Sequence, residues 1–361
     1  MQVRYLLGRA GSGKTTRIFN EIKEKLERDE GDKLILIVPD QFTYQAEIDF
    51  ITSMDLEGLM KVEVLSFSRL AYRVFSQLGG PNKNFISNTG KTMILMKLFN
   101  KYSKDLSLYH KSSDYKGFIS NFSYLISELK RNDITYKMLE EKLSSMEEGL
   151  LKSKLKDIAF IYQKYQEYIR DKYMDEEDRI NQLIDMLDET DYLQNSYIWI
   201  DNFFQFSAQE FRLIEKLMEK SLATTIALTM DKDGRDKELF QPVENTLKAL
   251  KEIVRKNKGQ DEEIIIDGEI GYKTSDISNL EMQIFSYPHK AYEDEVHNID
   301  IFAASNRYSE LENVACKIIS LVRDKGYRWK DIALVTNSMS SYNFTIKRVF
   351  EEYNIPYFMD D

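Results

Sequence analysis

The chain has 361 residues, with 42% hydrophobic, 12% aromatic and 30% charged side chains and a formal net charge of −10. These proportions exclude a disordered chain, and the length allows two or three domains with hydrophobic cores. A single cysteine, Cys316, excludes an internal disulfide and a cysteine metal cluster. The sequence shows no signal peptide and no apolar stretch long enough to span a membrane, which predicts a cytoplasmic protein with no membrane partner.

The first predicted element is a strand from Val3 to Leu7, followed by a glycine-rich turn and an amphipathic helix. The turn lies within YLLGRAGSGKTTRIFNEI and fits G-x-x-x-x-G-K-[ST] through Gly8, Gly13, Lys14 and Thr15, which is the P-loop pattern. Because the pattern occurs where a strand meets a helix, it predicts a phosphate-binding loop.

The residue types in this loop suit the binding of ATP with Mg²⁺. Glycines permit backbone torsions that a side chain forbids, so successive N–H groups and the helix N-terminus can surround a phosphate. Lys14 is expected to reach the outer phosphates and Thr15 to ligate Mg²⁺. The alternative is a tight turn that carries an exposed lysine. The predicted nucleotide-binding residues of the loop are Gly8, Arg9, Ala10, Gly11, Ser12, Gly13, Lys14, Thr15 and Thr16.

Strands and helices then alternate along the chain. A continuous apolar run from Leu34 to Val38 predicts a strand that is covered on both faces, and a helix is expected from Thr43 to Thr52. A strand from Val62 to Leu65 and a helix beginning at Ser66 follow. This order predicts an α/β fold with a parallel sheet, whose functional loops lie at the C-terminal ends of the strands.

Between residues 88 and 190 the alternation stops and apolar residues recur at helical spacing, which predicts an all-helical insertion. We interpret its aromatic residues as core packing and not as a base-stacking surface. The basic pair Lys130 and Arg131 suits either a nucleic-acid groove or a solvated helix face. The net charge of −10 neither indicates nor excludes nucleic-acid binding, because a basic groove can exist within an acidic protein.

The strand pattern resumes from Tyr197 to Ile200 and ends at Asp201. A helix is expected from Ser207, where Glu210 completes a capping box, and a further strand from Thr224 to Thr229. An apolar strand that ends in aspartate, far along the chain from a P-loop, supplies the second magnesium-associated carboxylate of such a nucleotide site, so we assign Asp201 to that position. The alternative is an aspartate that caps the next turn.

A charged region of weaker pattern reaches residue 298, and a second β-α-β-α unit follows it. We predict strands at 299–305 (IDIFAAS) and 331–338 (DIALVTNS), with helices at 309–325 and 342–353. Four elements are too few for a complete sheet domain, so this unit is expected to be the start of a longer one. The predicted domains are 1–87 with 191–240, the insertion at 88–190, a connecting region at 241–298 and an incomplete domain at 299–361.

Six stretches, in order along nearly the whole chain, resemble the B subunit of the AddAB-type ATP-dependent helicase–nuclease. They are LGRAGSGKT, VPDQFTYQAE, VLSFSRLAYRVFSQLGG, KLKDIAFIYQKY, IWIDNFFQFSAQE and DIALVTNS with YNIPYFMDD. The first stretch is generic, whereas SFSR and the stretch from Asp201 to Glu210 are specific to this family.

The resemblance implies a RecA-like, superfamily 1 helicase fold within a bacterial complex that processes double-strand DNA ends for recombinational repair. It implies the A subunit of the helicase–nuclease as the partner in a heterodimer, and DNA as both single strands and duplex ends. It also implies recognition of a hotspot sequence and a C-terminal nuclease domain with an iron–sulfur cluster. The family places that domain beyond residue 361, and this chain does not supply its cysteines.

The comparison with helicases also bears on hydrolysis. An active superfamily 1 motor carries a glutamate directly after the magnesium-associated aspartate, where it orients or deprotonates the attacking water. That position is Asn202 in this chain, and an amide cannot accept a proton. Glu210 is the nearest alternative base, but it falls in a predicted helix. We therefore expect ATP to be bound but hydrolysed slowly or not at all.

The resemblance extends to two further positions. Pro39, Asp40 and Gln41 match the helicase motif that contacts single-stranded DNA, although these residues also suit a strand-ending turn. Arg307 falls where helicases place an arginine directed at the γ-phosphate of ATP. The alternative for Arg307 is a surface arginine near a helix start.

Two other functions are compatible with the sequence. A P-loop phosphotransferase acting on a small molecule has the same loop, but the helical insertion and the second sheet unit do not suit a compact kinase. In a purely structural protein the P-loop survives only as a turn, and the presence of every P-loop residue argues against that function.

Overall fold

The computed structural model describes residues 1–54, 61–80, 83–110, 115–231, 237–268 and 274–359. The chain divides into two compact units. The first unit comprises Met1–Tyr272 with Phe285–His289, and the second comprises Lys273–Ile284 with Lys290–Asp361.

A parallel sheet forms the centre of the first unit. The strands of the described residues are β1 (Gln2–Gly8), β2 (Lys33–Ile37), β3 (Val62–Leu65), β4 (Asn84–Phe85), β5 (Tyr173–Met174), β6 (Ser196–Ile200), β7 (Ala223–Thr229) and β8 (Gln260–Ile265). Six of them form one sheet in the order β3-β2-β6-β7-β1-β8, and every adjacent pair is parallel. This arrangement confirms the α/β fold predicted from the order of elements.

Helices cover both faces of this sheet, because parallel strands need crossover connections. Adjacent residues of β1 enter separate cores, Tyr5 on one face and Leu6 on the other, which explains why the strand sequences are continuously apolar. None of the described helices is long and apolar enough to cross a bilayer. The helices of the first unit are α1 (Lys14–Glu27), α2 (Thr43–Met54), α3 (Phe67–Leu78), α4 (Asn88–Lys101), α5 (Lys116–Arg131), α6 (Tyr136–Ser144), α7 (Leu150–Ile169), α8 (Glu176–Met186), α9 (Ala208–Lys220) and α10 (Lys237–Lys256).

Local sequence signals set several helix boundaries. The Ser66 hydroxyl accepts a hydrogen bond from the Arg69 N–H and caps α3, and Gly79 ends that helix with a φ of 87°. Ser207 and Glu210 form the predicted capping box at the start of α9.

The edge strand β8 was not predicted from the sequence. Half of its residues, QDEEII, are charged, which the fold tolerates because the strand pairs with β1 alone and its side chains are mostly exposed.

The helices α4 to α8 form the insertion predicted at 88–190. Its aromatic residues pack as a core, with the Phe99 and Phe122 rings 4.8 Å apart at 89°. The prediction that the insertion is all-helical is wrong in one detail. The short strand β5 lies inside the insertion and pairs with β4, which lies just before it. A ladder of two residues is too short to produce a periodic pattern in the sequence.

A buried cluster of charges joins α4 and α5 to α8, which packs against α3 and α9 beside the sheet. Lys91 Nζ lies 3.0 Å from Glu177 Oε2, and Lys130 Nζ lies 2.6 Å from Asp175 Oδ2. None of these four side chains is more than 4% exposed. Lys130 is therefore neither a groove residue nor part of a solvated face, and the surface role considered for it from the sequence is wrong. We name Lys91, Lys130, Asp175 and Glu177 the buried charge cluster.

A second polar network ties α1 to the sheet. The Glu21 carboxylate accepts hydrogen bonds from Arg4 Nη2 at 2.6 Å, Arg17 Nε at 3.0 Å and Trp199 Nε1 at 3.2 Å. Burial acts to raise the pKa of Glu21, but the hydrogen bond and charge of Arg4, together with Trp199 and Arg17, outweigh it and lower that pKa.

The network predicts an acid dependence of stability. Because the folded pKa of Glu21 lies below the unfolded value of about 4.3, its contribution is complete above that value and is lost as the pH falls through the folded pKa. We expect Glu21→Gln to cost about 1–3 kcal/mol in urea unfolding near neutral pH, and the difference to shrink in acid. Glu24→Gln, at an exposed position, is the control. A difference that stays constant with pH would contradict the assignment.

The second unit contains α11 (Ser275–Gln283), α12 (Arg307–Lys325) and α13 (Met339–Glu352). The helices α12 and α13 confirm the two predicted there, and they pack through a shared core. The strands predicted at 299–305 and 331–338 are wrong, because neither stretch forms a strand in the described part of the chain. Ile301 and Val335 are 95% and 89% exposed. An alternating pattern cannot show whether a neighbouring strand is present to complete the hydrogen-bond ladder.

Candidate nucleotide-binding site

The glycine-rich loop joins the end of β1 to the start of α1. Gly11 and Gly13 have φ values of 71° and 92°, a left-handed backbone that favours glycine. A Cβ at Gly8 would lie 2.5 Å from the carbonyl oxygen of Ile266 and would also collide with the Ser12 hydroxyl. Each of these glycines therefore meets a demand of the local backbone.

Lys14 begins α1 and is only 8% exposed. Its Nζ donates hydrogen bonds to the carbonyl oxygens of Gly8 at 2.8 Å and Arg9 at 2.9 Å. These bonds hold the ammonium group against the loop. The alternative of a turn with an exposed lysine does not fit this geometry.

Thr15 and Asp201 meet although 186 positions separate them in the chain. Thr15 Oγ1 donates to Asp201 Oδ2 at 2.6 Å, and Asp201, at the end of β6, is 3% exposed. Burial raises the pKa of the Asp201 carboxyl, while the hydrogen bonds from Thr15 and from the Asn202 N–H oppose that shift. A hydroxyl and a carboxylate side by side are the hard oxygen ligands that Mg²⁺ prefers. These two residues therefore fit the predicted metal.

The other predicted loop residues have different surroundings. Arg9 Nη1 lies 2.9 Å from Asp231 Oδ2, and the guanidinium group lies 5.3 Å from the Phe240 ring centroid. Ala10 and Thr16 are exposed. Asp231 and Phe240 were not predicted from the sequence to belong to this site. Asp231 could have been found, because it follows β7, which pairs with β1 in the sheet.

Asn202 has a left-handed backbone with a φ of 65°, and its N–H donates to Asp201 Oδ1 at 2.8 Å. Asparagine adopts this conformation more readily than glutamate does. The Glu210 Oε2 atom accepts hydrogen bonds from the Ser207 N–H at 2.8 Å and hydroxyl at 3.0 Å. These bonds hold the Glu210 carboxylate at the start of α9.

Pro39, Asp40 and Gln41 follow β2 and enter a single turn of 3₁₀ helix. Asp40 accepts hydrogen bonds from the hydroxyls of Ser66 and Ser68, and it lines a cleft of about 580 Å³. Gln41 is exposed at this end of the sheet. The charged residues lining the cleft are Asp40, Glu128, Arg131, Glu176, Glu177 and Glu210.

Arg307 lies in the second unit, at the first position of α12. Its guanidinium group lies 5.4 Å from the Tyr342 ring centroid. The preceding Asn306 caps α12 by accepting hydrogen bonds from the N–H groups of Tyr308 and Ser309, both at 3.0 Å. The local contacts of Arg307 are therefore those of a residue at a helix start.

Comparisons with known proteins agree with this architecture. A family model described as ADDB, N-terminal, matches residues 5–281. Two similar relatives are the B subunits of the ATP-dependent helicase/deoxyribonuclease of Alkaliphilus metalliredigens (strain QYMF) and Alkaliphilus oremlandii (strain OhILAs), each 45% identical over 100% of this chain. The corresponding protein of Clostridium tetani (strain Massachusetts / E88) is 39% identical over the same share. The chain spans 32% of the length of each of these relatives. The chain belongs to the ADDB N-terminal family.

Proposed function

We propose that this chain is the ATP-binding, DNA-engaging helicase-like region of the B subunit of a bacterial ATP-dependent helicase–deoxyribonuclease that processes double-strand DNA ends for recombinational repair. The observation that carries the proposal is the hydrogen bond between Thr15 and Asp201, at 2.6 Å, beside the glycine-rich loop. It brings together two residues, far apart in the sequence, that we assign to the two halves of the proposed nucleotide site. The family match argues against the small-molecule phosphotransferase considered as an alternative.

In this proposal the residues from Gly8 to Thr16 surround the phosphates of ATP. The N–H groups of the loop and the start of α1 bind phosphate oxygens, and the Lys14 ammonium reaches the outer phosphates. Thr15 and Asp201 hold Mg²⁺, which neutralises part of the phosphate charge. Arg307 is proposed to contact the γ-phosphate, as the resemblance to helicases implies.

We further propose that the site binds ATP without turning it over at a motor's rate. The proposal rests on Asn202, whose amide can orient a water molecule but cannot accept its proton. The position of Glu210 in the capping box supports it, since Oε2 of that carboxylate already accepts two hydrogen bonds from Ser207 at the start of α9.

Pro39, Asp40 and Gln41 are proposed to contact single-stranded DNA. Gln41 is exposed, and the nearby Phe42 and Tyr44 are 45% and 69% exposed. An amide can hydrogen-bond to base edges, and aromatic rings can stack on bases. The carboxylates that line the adjacent cleft repel phosphates, so we propose that the bases and not the backbone approach this end of the sheet.

The remaining properties concern the full-length protein. We propose the A subunit of the helicase–deoxyribonuclease as the partner in a heterodimer, and duplex ends as well as single strands as DNA substrates. The nuclease activity and the iron–sulfur cluster are assigned to the C-terminal nuclease domain implied by the resemblance. The single cysteine of this chain, Cys316, cannot by itself supply a four-cysteine cluster.

Calorimetric titration of the chain with ATP and Mg²⁺ tests the nucleotide site. We expect binding that Lys14→Ala weakens at least about 10-fold, because charge-assisted bonds to phosphate contribute roughly 1.5–3 kcal/mol. Lys23→Ala, at a half-buried position farther along α1, is the control. Equal binding by the Lys14→Ala variant would contradict the assigned role. No binding by the unmodified chain would favour the purely structural role.

A further inference from the structure

The α4 and α7 helices of the insertion carry lysines and aromatic residues on adjoining faces. On α4, Lys97 and Lys101 are four residues apart and exposed. On α7, Lys164 and Tyr168 are also four residues apart. This spacing puts each pair on one side of its helix with a rise of roughly 6 Å. With Tyr102, which follows α4, these residues form what we name the lysine–tyrosine patch.

The two helices meet through contacts between ammonium groups and rings. Lys97 Nζ lies 5.1 Å from the Tyr168 ring centroid and 3.4 Å from its hydroxyl oxygen. The Tyr102 ring centroid has Lys101 Nζ at 4.8 Å and Lys164 Nζ at 5.8 Å. The ammonium groups and rings therefore belong to one continuous surface.

The charges of this surface are incompletely neutralised. In the described part of the chain, no carboxylate forms an ion pair with Lys97 or Lys101, whereas Lys164 pairs with Glu167 at 2.9 Å. Some lysines on other exposed helices are paired, such as Lys248 with Glu244 at 2.8 Å. In a chain with a net charge of −10, two neighbouring lysines without a carboxylate partner among the described residues make a local site of positive potential.

We propose that the lysine–tyrosine patch binds single-stranded DNA, as a contact separate from the predicted one at Pro39, Asp40 and Gln41. The inference rests on the proposed function, because it takes DNA as the ligand. Lysines supply contacts to phosphates, and exposed rings supply faces or edges to unpaired bases. Tyr168 is 38% exposed, and its ring is parallel to that of Tyr173 within 5°. A duplex keeps its bases stacked, so it can use the lysines but not the rings.

Fluorescence anisotropy with a labelled oligothymidylate of roughly 20 nucleotides tests this site, because the probe has no stable duplex structure and exceeds the 4–16 nucleotides of typical single-strand sites. The double variant Lys97→Ala with Lys101→Ala should bind about 10-fold more weakly near 0.1 M salt. The slope of log K against log[salt] should become shallower by about 1.4, for two phosphates at roughly 0.7 each. Tyr168→Leu should weaken binding about five-fold without changing that slope.

The matched control is Lys137→Ala with Lys142→Ala, which removes two exposed lysines from α6 in the same insertion. The patch proposal is overturned if the Lys97 and Lys101 variant binds like the unmodified chain, or if the control loses as much affinity. Thermal melting checks that each variant is folded.

Gln41→Ala, measured in the same assay, separates failure of the patch from failure of the proposed function. Weaker binding by Gln41→Ala alone would retain the DNA contact at the end of β2 and reject the patch. If the unmodified chain binds no oligothymidylate, both DNA proposals fail, while the calorimetric titration with ATP still decides the nucleotide site. Stronger binding to a blunt duplex than to the single strand would also reject the patch, because it would show that the rings contribute nothing.

Discussion

Lys91→Met should lower the free energy of unfolding of the first unit by about 3–5 kcal/mol, the usual cost of removing one partner from a buried ion pair. The Lys91 side chain is 1% exposed, and its Nζ donates to Glu177 at 3.0 Å and to the Ser127 hydroxyl at 2.7 Å. Without Lys91 the Glu177 carboxylate keeps only Arg131 as a charged partner among the described residues, at 3.6 Å. Urea unfolding followed by circular dichroism measures the loss.

The position of the cluster explains why the effect is expected to be large. At Asp175, burial opposes ionisation, but the charges of Lys130 and Lys91 outweigh it and lower the pKa of that carboxyl. The Tyr165 hydroxyl donates a further hydrogen bond to Asp175 at 2.9 Å. The Gln209 amide donates to the Glu177 carbonyl oxygen at 2.7 Å, so the cluster also connects α8 to α9. Loss of one charge therefore disturbs the junction between the insertion and the sheet.

Two comparisons make the stability prediction specific. Lys152→Met removes a lysine whose partner, Glu148, is 87% exposed, and it should cost less than about 1 kcal/mol. The double variant Lys91→Met with Glu177→Leu should recover part of the loss, because it leaves fewer unpaired charges buried. A loss below about 1 kcal/mol for Lys91→Met alone would show that the cluster tolerates an unpaired carboxylate, contrary to our interpretation.

We expect the second large effect in phosphate release from ATP. The unmodified chain should bind ATP with Mg²⁺ and release phosphate slowly, with or without single-stranded DNA. Asn202→Glu should increase the release rate by about 10²-fold or more, because general-base assistance typically contributes about 10²- to 10⁴-fold. A coupled phosphate assay at saturating ATP measures the rate independently of affinity.

The backbone at Asn202 provides the control. Its φ of 65° suits glycine, so Asn202→Gly should keep the fold and the slow rate. Glutamate in the same conformation should cost about 1–2 kcal/mol of stability, visible as a lower melting temperature. If Asn202→Glu binds ATP but releases phosphate no faster, the missing base does not limit turnover. Rapid release by the unmodified chain would show that another group activates water.

Local features of the structure could be predicted well from the sequence. Gly11 and Gly13 were recognised because left-handed torsions favour glycine wherever they occur. The caps at Ser66 and Ser207 depend on residues three positions apart, so they too can be read along the chain. The order of apolar runs and amphipathic segments was sufficient to predict a parallel sheet with a helical insertion.

Contacts between distant residues could only be proposed or were missed. The pairing of Thr15 with Asp201 was a hypothesis about a helix start and a strand end, and the ion pair between Arg9 and Asp231 was not anticipated. Lys130 looked like a surface residue, because its partner Asp175 lies 45 positions away. The strand β8 was missed because a charged edge strand has no apolar run.

The sequence by itself therefore determined the glycine-rich loop, the helix caps and the α/β class of this protein, since each depends on torsions or spacing within a few residues. Only the tertiary structure decided which carboxylate meets Thr15, which lysines are buried and which extended segments become strands. The physical reason is that hydrogen-bond ladders and ion pairs need partners in space, and the chain brings those partners together only when the sheet and the insertion are assembled.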